Sequence, residues 1–190
     1  MEAFLEPFRR LGVYGDIENK IHKNRGVISL GGCVDSEKVH AAFCLWQGFR
    51  CRLFVTYSEQ KARELAEDIK FFDRNVLIYP AKDFLFFHAD IQGNVIVGQR
   101  VKVLKTLCEQ EEVTIVATFD ALMDALRPFG EIREEILTLA PGQIVETEAL
   151  SIRLTRLGYE RTAQAEMPGQ FAVRGGIVDI YPLTGETPGR

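Results

Sequence analysis

Residues 32–39 read Gly-Cys-Val-Asp-Ser-Glu-Lys-Val, a spacing that could hold a nucleotide. The P-loop pattern is G-x-x-x-x-G-K-[ST], and Gly32 and Lys38 fall on its first glycine and its lysine. Such a loop works because backbone amides and a helix N-terminus direct partial positive charge at phosphate, while a hydroxyl holds magnesium. Here the second glycine is replaced by Glu37 and the hydroxyl by Val39, and Asp35 adds another negative charge. The stretch reads either as a nucleotide site that has lost its chemistry or as a turn made for packing alone. The residues by themselves leave both open.

The elements that must position this turn follow from periodicity. A short apolar run, Val27 to Leu30, predicts the strand before it, and Val39, Ala42, Phe43 and Trp46 give helical spacing over Ser36–Trp46. Arg52–Thr56 reads as a strand, followed from Ser58 by an amphipathic helix with Ala62, Leu65, Ala66, Ile69 and Phe72 on one face. Asn75–Tyr79 is the next strand. Residues 80–94 have no clear period and carry Phe84, Phe86, Phe87 and His88, readable as a loop folded onto the core or as a partner or nucleic-acid contact. A helix over Val95–Cys108 is expected to turn Val97, Val101, Leu104 and Cys108 inward and Arg100, Lys102 and Lys105 outward. Val113–Ala117 predicts a buried strand, and Thr118 a cap for the helix Phe119–Leu126. Alternating strands and helices predict a parallel sheet with helices on both faces, a RecA/P-loop-like α/β domain.

Beyond Arg127 the pattern changes, so residues 1–127 and 128–190 are expected to form a larger domain and a smaller α/β domain. The second should hold a strand near Ile136–Leu139, a helix over Thr147–Leu157 and two extended runs, Glu160–Glu166 and Gln170–Tyr181. Met167-Pro168-Gly169 suits a type II turn between those runs, which predicts an antiparallel pair with Arg161 and Arg174 near each other across it.

Composition limits the functions available. A hydrophobic content of 46% supports a sizeable core, and a formal net charge of −4 disfavours a dedicated nucleic-acid binder. Cys33, Cys44, Cys51 and Cys108 form no C-x-x-C pair, so neither a zinc site nor a disulfide framework is expected. No apolar run reaches membrane-spanning length and the N-terminus lacks a signal-peptide pattern, so a cytoplasmic protein without a membrane partner is expected.

Four ordered stretches, VISLGG with its lysine, NVLIYPAKDFLFFHADIQGNVIVGQRVKVLKTL, VTIVATFDALMDAL and LGYERTAQAEMPGQFAVRGGIVDIYPL, resemble the UvrB-like N-terminal region of bacterial transcription-repair coupling factors (Mfd). The resemblance implies a degenerate P-loop at Gly32, Glu37, Lys38 and Val39, no aromatic DNA-clamping hairpin, and no catalysis or cofactor in this region. In the full-length family, separate motor domains bind ATP and magnesium and translocate DNA, and other domains meet RNA polymerase and DNA. It implies a docking role toward UvrA in nucleotide excision repair, through Arg161 and Arg174 with Phe171 and Tyr181 as apolar candidates. Ala172 stands where UvrB has a further arginine, and later strands of the second domain are expected beyond Arg190. The rival expectations are a nucleotide-binding lobe of a helicase-like ATPase, supported by Lys38, and a DNA-contacting module built on the 84–88 aromatics and the Arg100 helix.

Overall fold

The computed structural model describes residues 2–23, 26–82, 90–109, 112–185 and 187–190. Phe84, Phe86, Phe87 and His88, considered above as a contact loop, lie outside the described residues. Two short helices, α1 (Glu2–Arg9) and α2 (Tyr14–His22), precede the helix α3 (Asp35–Leu45). The larger sheet then forms from β1 (Cys51–Thr56), β2 (Val76–Tyr79) and β3 (Val113–Thr118), all parallel, in the order β1-β3-β2. The helix α4 (Glu59–Lys70) joins β1 to β2, and α5 (Asp90–Cys108) precedes β3.

Local chemistry places these elements. Ser58 caps α4, its Oγ accepting from the Lys61 amide at 3.2 Å, and Thr118 caps the short α6 (Phe119–Leu122), accepting from the Ala121 amide at 3.2 Å. All six residues of β3 are buried. On one face Val116 packs with Val39, Phe43 and Cys44 of α3 and Ala62, Ala66 and Ile69 of α4; on the other, Ile115 and Ala117 pack with Val103 of α5 and Tyr79. The α/β class and the parallel sheet expected from the sequence are therefore present.

Three sequence expectations fail here. Residues 27–30 do not form a strand, and Val27 is 94% exposed. The four residues, bracketed by Gly26 (φ 77°) and Gly32 (φ 78°), have no ladder partner among the described residues to offset the entropy of ordering them. Arg100, expected outside, is 6% exposed, whereas Val97 is exposed and Val103 takes the inward position. Its guanidinium donates to the Pro80 carbonyl at 2.8 Å, pairs with Asp124 at 2.9 Å and lies 4.1 Å from the Tyr79 ring centre. Those partners come from the end of β2, the residue after it and the segment after α6, and no periodicity in α5 reveals them. Finally, the expected strand at 136–139 is absent and a helix, α7 (Phe129–Glu135), precedes it. Arg133 of α7 donates to the Cys108 carbonyl at 2.9 Å, a contact distant in sequence, and Arg127 pairs locally with Glu135.

The remainder holds α8 (Thr147–Arg156) against a small mixed sheet of β4 (Glu160–Arg161), β5 (Gln170–Arg174) and β6 (Ile177–Ile180), in that order. Leu150, Leu154 and Phe171 are its core. Chain beyond β6 reaches back to α5, where a Cβ at Gly98 would lie 2.5 Å from the Leu183 carbonyl oxygen. Gly98→Ala is expected to destabilise the chain: overpacking against backbone costs about 1–3 kcal/mol, against a helix-propensity gain of about 1 kcal/mol. Thermal unfolding checks it, and an unchanged or raised midpoint would mean the contact is easily relaxed.

Candidate functional site

The turn before α3 places its charges on one another. Gly32 adopts a positive φ of 78°, and the Val34 amide donates to Glu37 Oε2 at 3.4 Å. Asp35 accepts from Lys61 Nζ at 2.8 Å and Lys38 Nζ at 3.0 Å. Lys61 first and Lys38 second hold the Asp35 carboxyl down to about 2. Val39 is buried in the core rather than facing the turn. The expected strand–loop–helix cradle thus lacks its strand, its lysine is paired internally, and a carboxylate of the chain reaches the helix N-terminus.

The second group of candidate residues lies on the small sheet. β5 and β6 form an antiparallel hairpin around Gly175-Gly176, of which only Gly175 has a positive φ (61°), the arrangement of a type II′ turn. The Pro168-Gly169 turn also forms, with the Gln170 amide donating to the Met167 carbonyl at 3.1 Å and Gly169 at φ 87°. The runs on either side of it, however, pair in parallel, Glu160 with Gln170 and Arg161 with Phe171. The predicted antiparallel pair is therefore replaced by a parallel β4-β5 contact and a later hairpin, and Arg161 and Arg174 are not cross-strand neighbours. Arg174 is paired instead with Ile177. A Gly-Gly pair between alternating apolar residues is the stronger hairpin signal in FAVRGGIVDI, and it marks the true turn.

That hairpin decides what each candidate residue can do. Phe171 is 0% exposed, packed under Leu150 and Leu154, so it supports the sheet from within and offers no surface; this corrects its reading as a contact residue. Ala172 is 1% exposed on the other face, opposite Asp179. Tyr181 is half-buried, and its amide donates to the Gln170 carbonyl at 2.8 Å. Arg161 is exposed and makes no ion pair among the described residues.

Arg174 belongs to a charge cluster that sequence reading missed. Arg174 pairs with Asp179 Oδ2, and Arg190 donates from Nε to Asp179 Oδ1 at 2.7 Å and from a terminal nitrogen to Oδ2 at 3.3 Å. The three residues line an open groove of about 450 Å³ together with Gln164, Ala165, Glu166, Pro188 and Gly189. Gly189 is held by an antiparallel bridge to Ile180. The two guanidinium groups, Arg190 first, hold the Asp179 carboxyl down to about 2. The signal for Asp179 was its diagonal position from Arg174 across the hairpin, readable only with the turn in its true place.

Residues 137–190 match the family model described as the UvrB interaction domain. Among characterised proteins, the chain is 32% identical over 138 residues to the transcription-repair-coupling factor of Bacillus subtilis (strain 168), covering 72% of this chain and 12% of that protein. It is 31% identical over 140 residues to that of Staphylococcus epidermidis (strain ATCC 12228 / FDA PCI 1200), with 73% and 12% covered, and 27% identical over 136 residues to that of Staphylococcus aureus (strain NCTC 8325 / PS 47), with 70% and 12% covered. The chain spans about an eighth of the length of these relatives. Fold and match together define a UvrB-like α/β module carrying an interaction domain. More particularly, it is a UvrB-like module of the transcription-repair-coupling factor family.

The depressed Asp179 value gives a direct test. Because the folded carboxyl titrates below its unfolded value of about 3.9, its contribution to stability is present above that pH and is lost as pH falls through about 2. Carboxyl-carbon NMR should therefore show Asp179 ionised at pH 3; a midpoint near 4 would mean that the arginines do not hold it.

Proposed function

We propose that this chain is a non-catalytic docking module that recruits UvrA during transcription-coupled nucleotide excision repair, with residues 128–190 as the docking domain. The observation that carries this reading is the match of residues 137–190 to a UvrB interaction domain. Its chemistry supports it: Arg161 is exposed and free of ion pairs among the described residues, and Arg174 projects from the hairpin into an open groove. Guanidinium groups in such positions are favoured interface anchors, presenting several donors in a fixed plane. Phe171 acts beneath them as the apolar support of β5, while Tyr181 contributes from the strand's far end.

In this reading the turn at Gly32–Val39 binds no nucleotide. Asp35 and Glu37 already take the positive charge that a phosphate would need, and Val39 offers no ligand to magnesium. ATP and magnesium belong to the motor domains of the full-length family, and contacts with RNA polymerase and DNA to its other domains.

Binding of the chain to UvrA, measured by calorimetry, tests the reading. Arg161→Glu combined with Arg174→Glu should lower affinity at least about tenfold, since a like charge opposed to a partner costs several kcal/mol, whereas surface substitutions change folding by about 0.5 kcal/mol. ATP with magnesium should leave the thermal midpoint of the chain where it is. Intact binding by the double variant would remove both arginines from the interface, and a nucleotide-dependent rise in the midpoint would restore the turn as a nucleotide site.

A further inference from the structure

We propose that Asp179 is a positioning residue of this docking face, holding the Arg174 guanidinium in the orientation that meets the partner; the inference rests on the docking reading above. Its first support is depth. The Asp179 side chain is 13% exposed, while those of Arg174 and Arg190 are 50% and 67% exposed, so the carboxylate lies beneath both cations. The second is register. Ala172 pairs with Asp179 and Arg174 with Ile177, which puts Arg174 and Asp179 on one face of the hairpin as diagonal neighbours.

The third support is how the donors are shared. Arg174 gives one terminal nitrogen to Asp179 Oδ2, while Asp179 Oδ1 is taken by Arg190 Nε. A guanidinium has five N–H donors, so most of the Arg174 fork remains for a partner's carboxylate or carbonyl groups. An arginine already held in place loses less rotamer freedom on binding than a free one. An acidic residue thereby strengthens a cationic contact, although its charge alone opposes an acidic partner. Arg161, without such a support among the described residues, is independent of this effect.

The test is a double-mutant cycle on the 190-residue chain with Asp179→Asn, Arg174→Ala and both together, reading UvrA affinity and thermal unfolding for each. In parallel, nitrogen relaxation at Arg174 Nε is measured in the free chain. Asp179→Asn should weaken UvrA binding roughly fivefold and increase Arg174 mobility, yet cause no further loss in the Arg174→Ala background. Where Asp179→Asn does not fold, Asp179→Ser carries the same expectation. Full affinity in the neutral variant, or the same loss with Arg174 already removed, overturns the positioning role. A wild-type chain that does not bind UvrA overturns the docking reading itself, a result distinct from both.

Discussion

A strand buried on both faces requires a packed layer on each side, and β3 is buried at all six of its residues. The larger sheet is built to meet that requirement. β1 and β2 satisfy its backbone on either edge, α3 and α4 cover one face, and α5 covers the other. Charged groups near the strand ends pair with one another. Arg52 of β1 pairs with Asp73 at 3.1 Å beside the Trp46 ring, and Asp73 also accepts from Thr114 Oγ1 of β3 at 2.6 Å. At the opposite ends of the strands, Arg100 ties α5 to the chain after β2 and α6.

The small sheet solves a different problem with the same means. Phe171 anchors β5 to α8, and alternation along β5 then turns Arg174 away from that core. Contact at Gly98 joins this part of the chain to α5, because only a residue without a Cβ admits the Leu183 carbonyl so closely. The small sheet is therefore supported by packed side chains on one side and by backbone contact with the larger unit further along.

Internal pairing separates the charges that serve the fold from those available to a partner. Lys38 and Lys61 are engaged with Asp35, and Arg100 with Asp124. Arg161 remains exposed on β4, and Arg174 is held by only part of its guanidinium. A net charge of −4 thus coexists with a groove in which Arg174 and Arg190 are balanced by Glu166 and Asp179.

Much of the larger unit was legible in the sequence alone. Strand and helix periods, the Thr118 cap and the buried run of β3 are local properties, so the residues state them without knowing their neighbours. The arginines of the small sheet could likewise be named from residue type and resemblance. What each candidate touches was decided by tertiary structure. Residues 27–30 had strand character but no ladder partner among the described residues, Arg100 had a helical position but a buried one, and Phe171 had an aromatic ring that the core claimed. The hairpin lay at Gly175-Gly176, so Arg174 met Asp179 and Arg190 instead of Arg161. Periodicity describes which side of an element a residue occupies, whereas pairing depends on which distant segment the fold brings against that side.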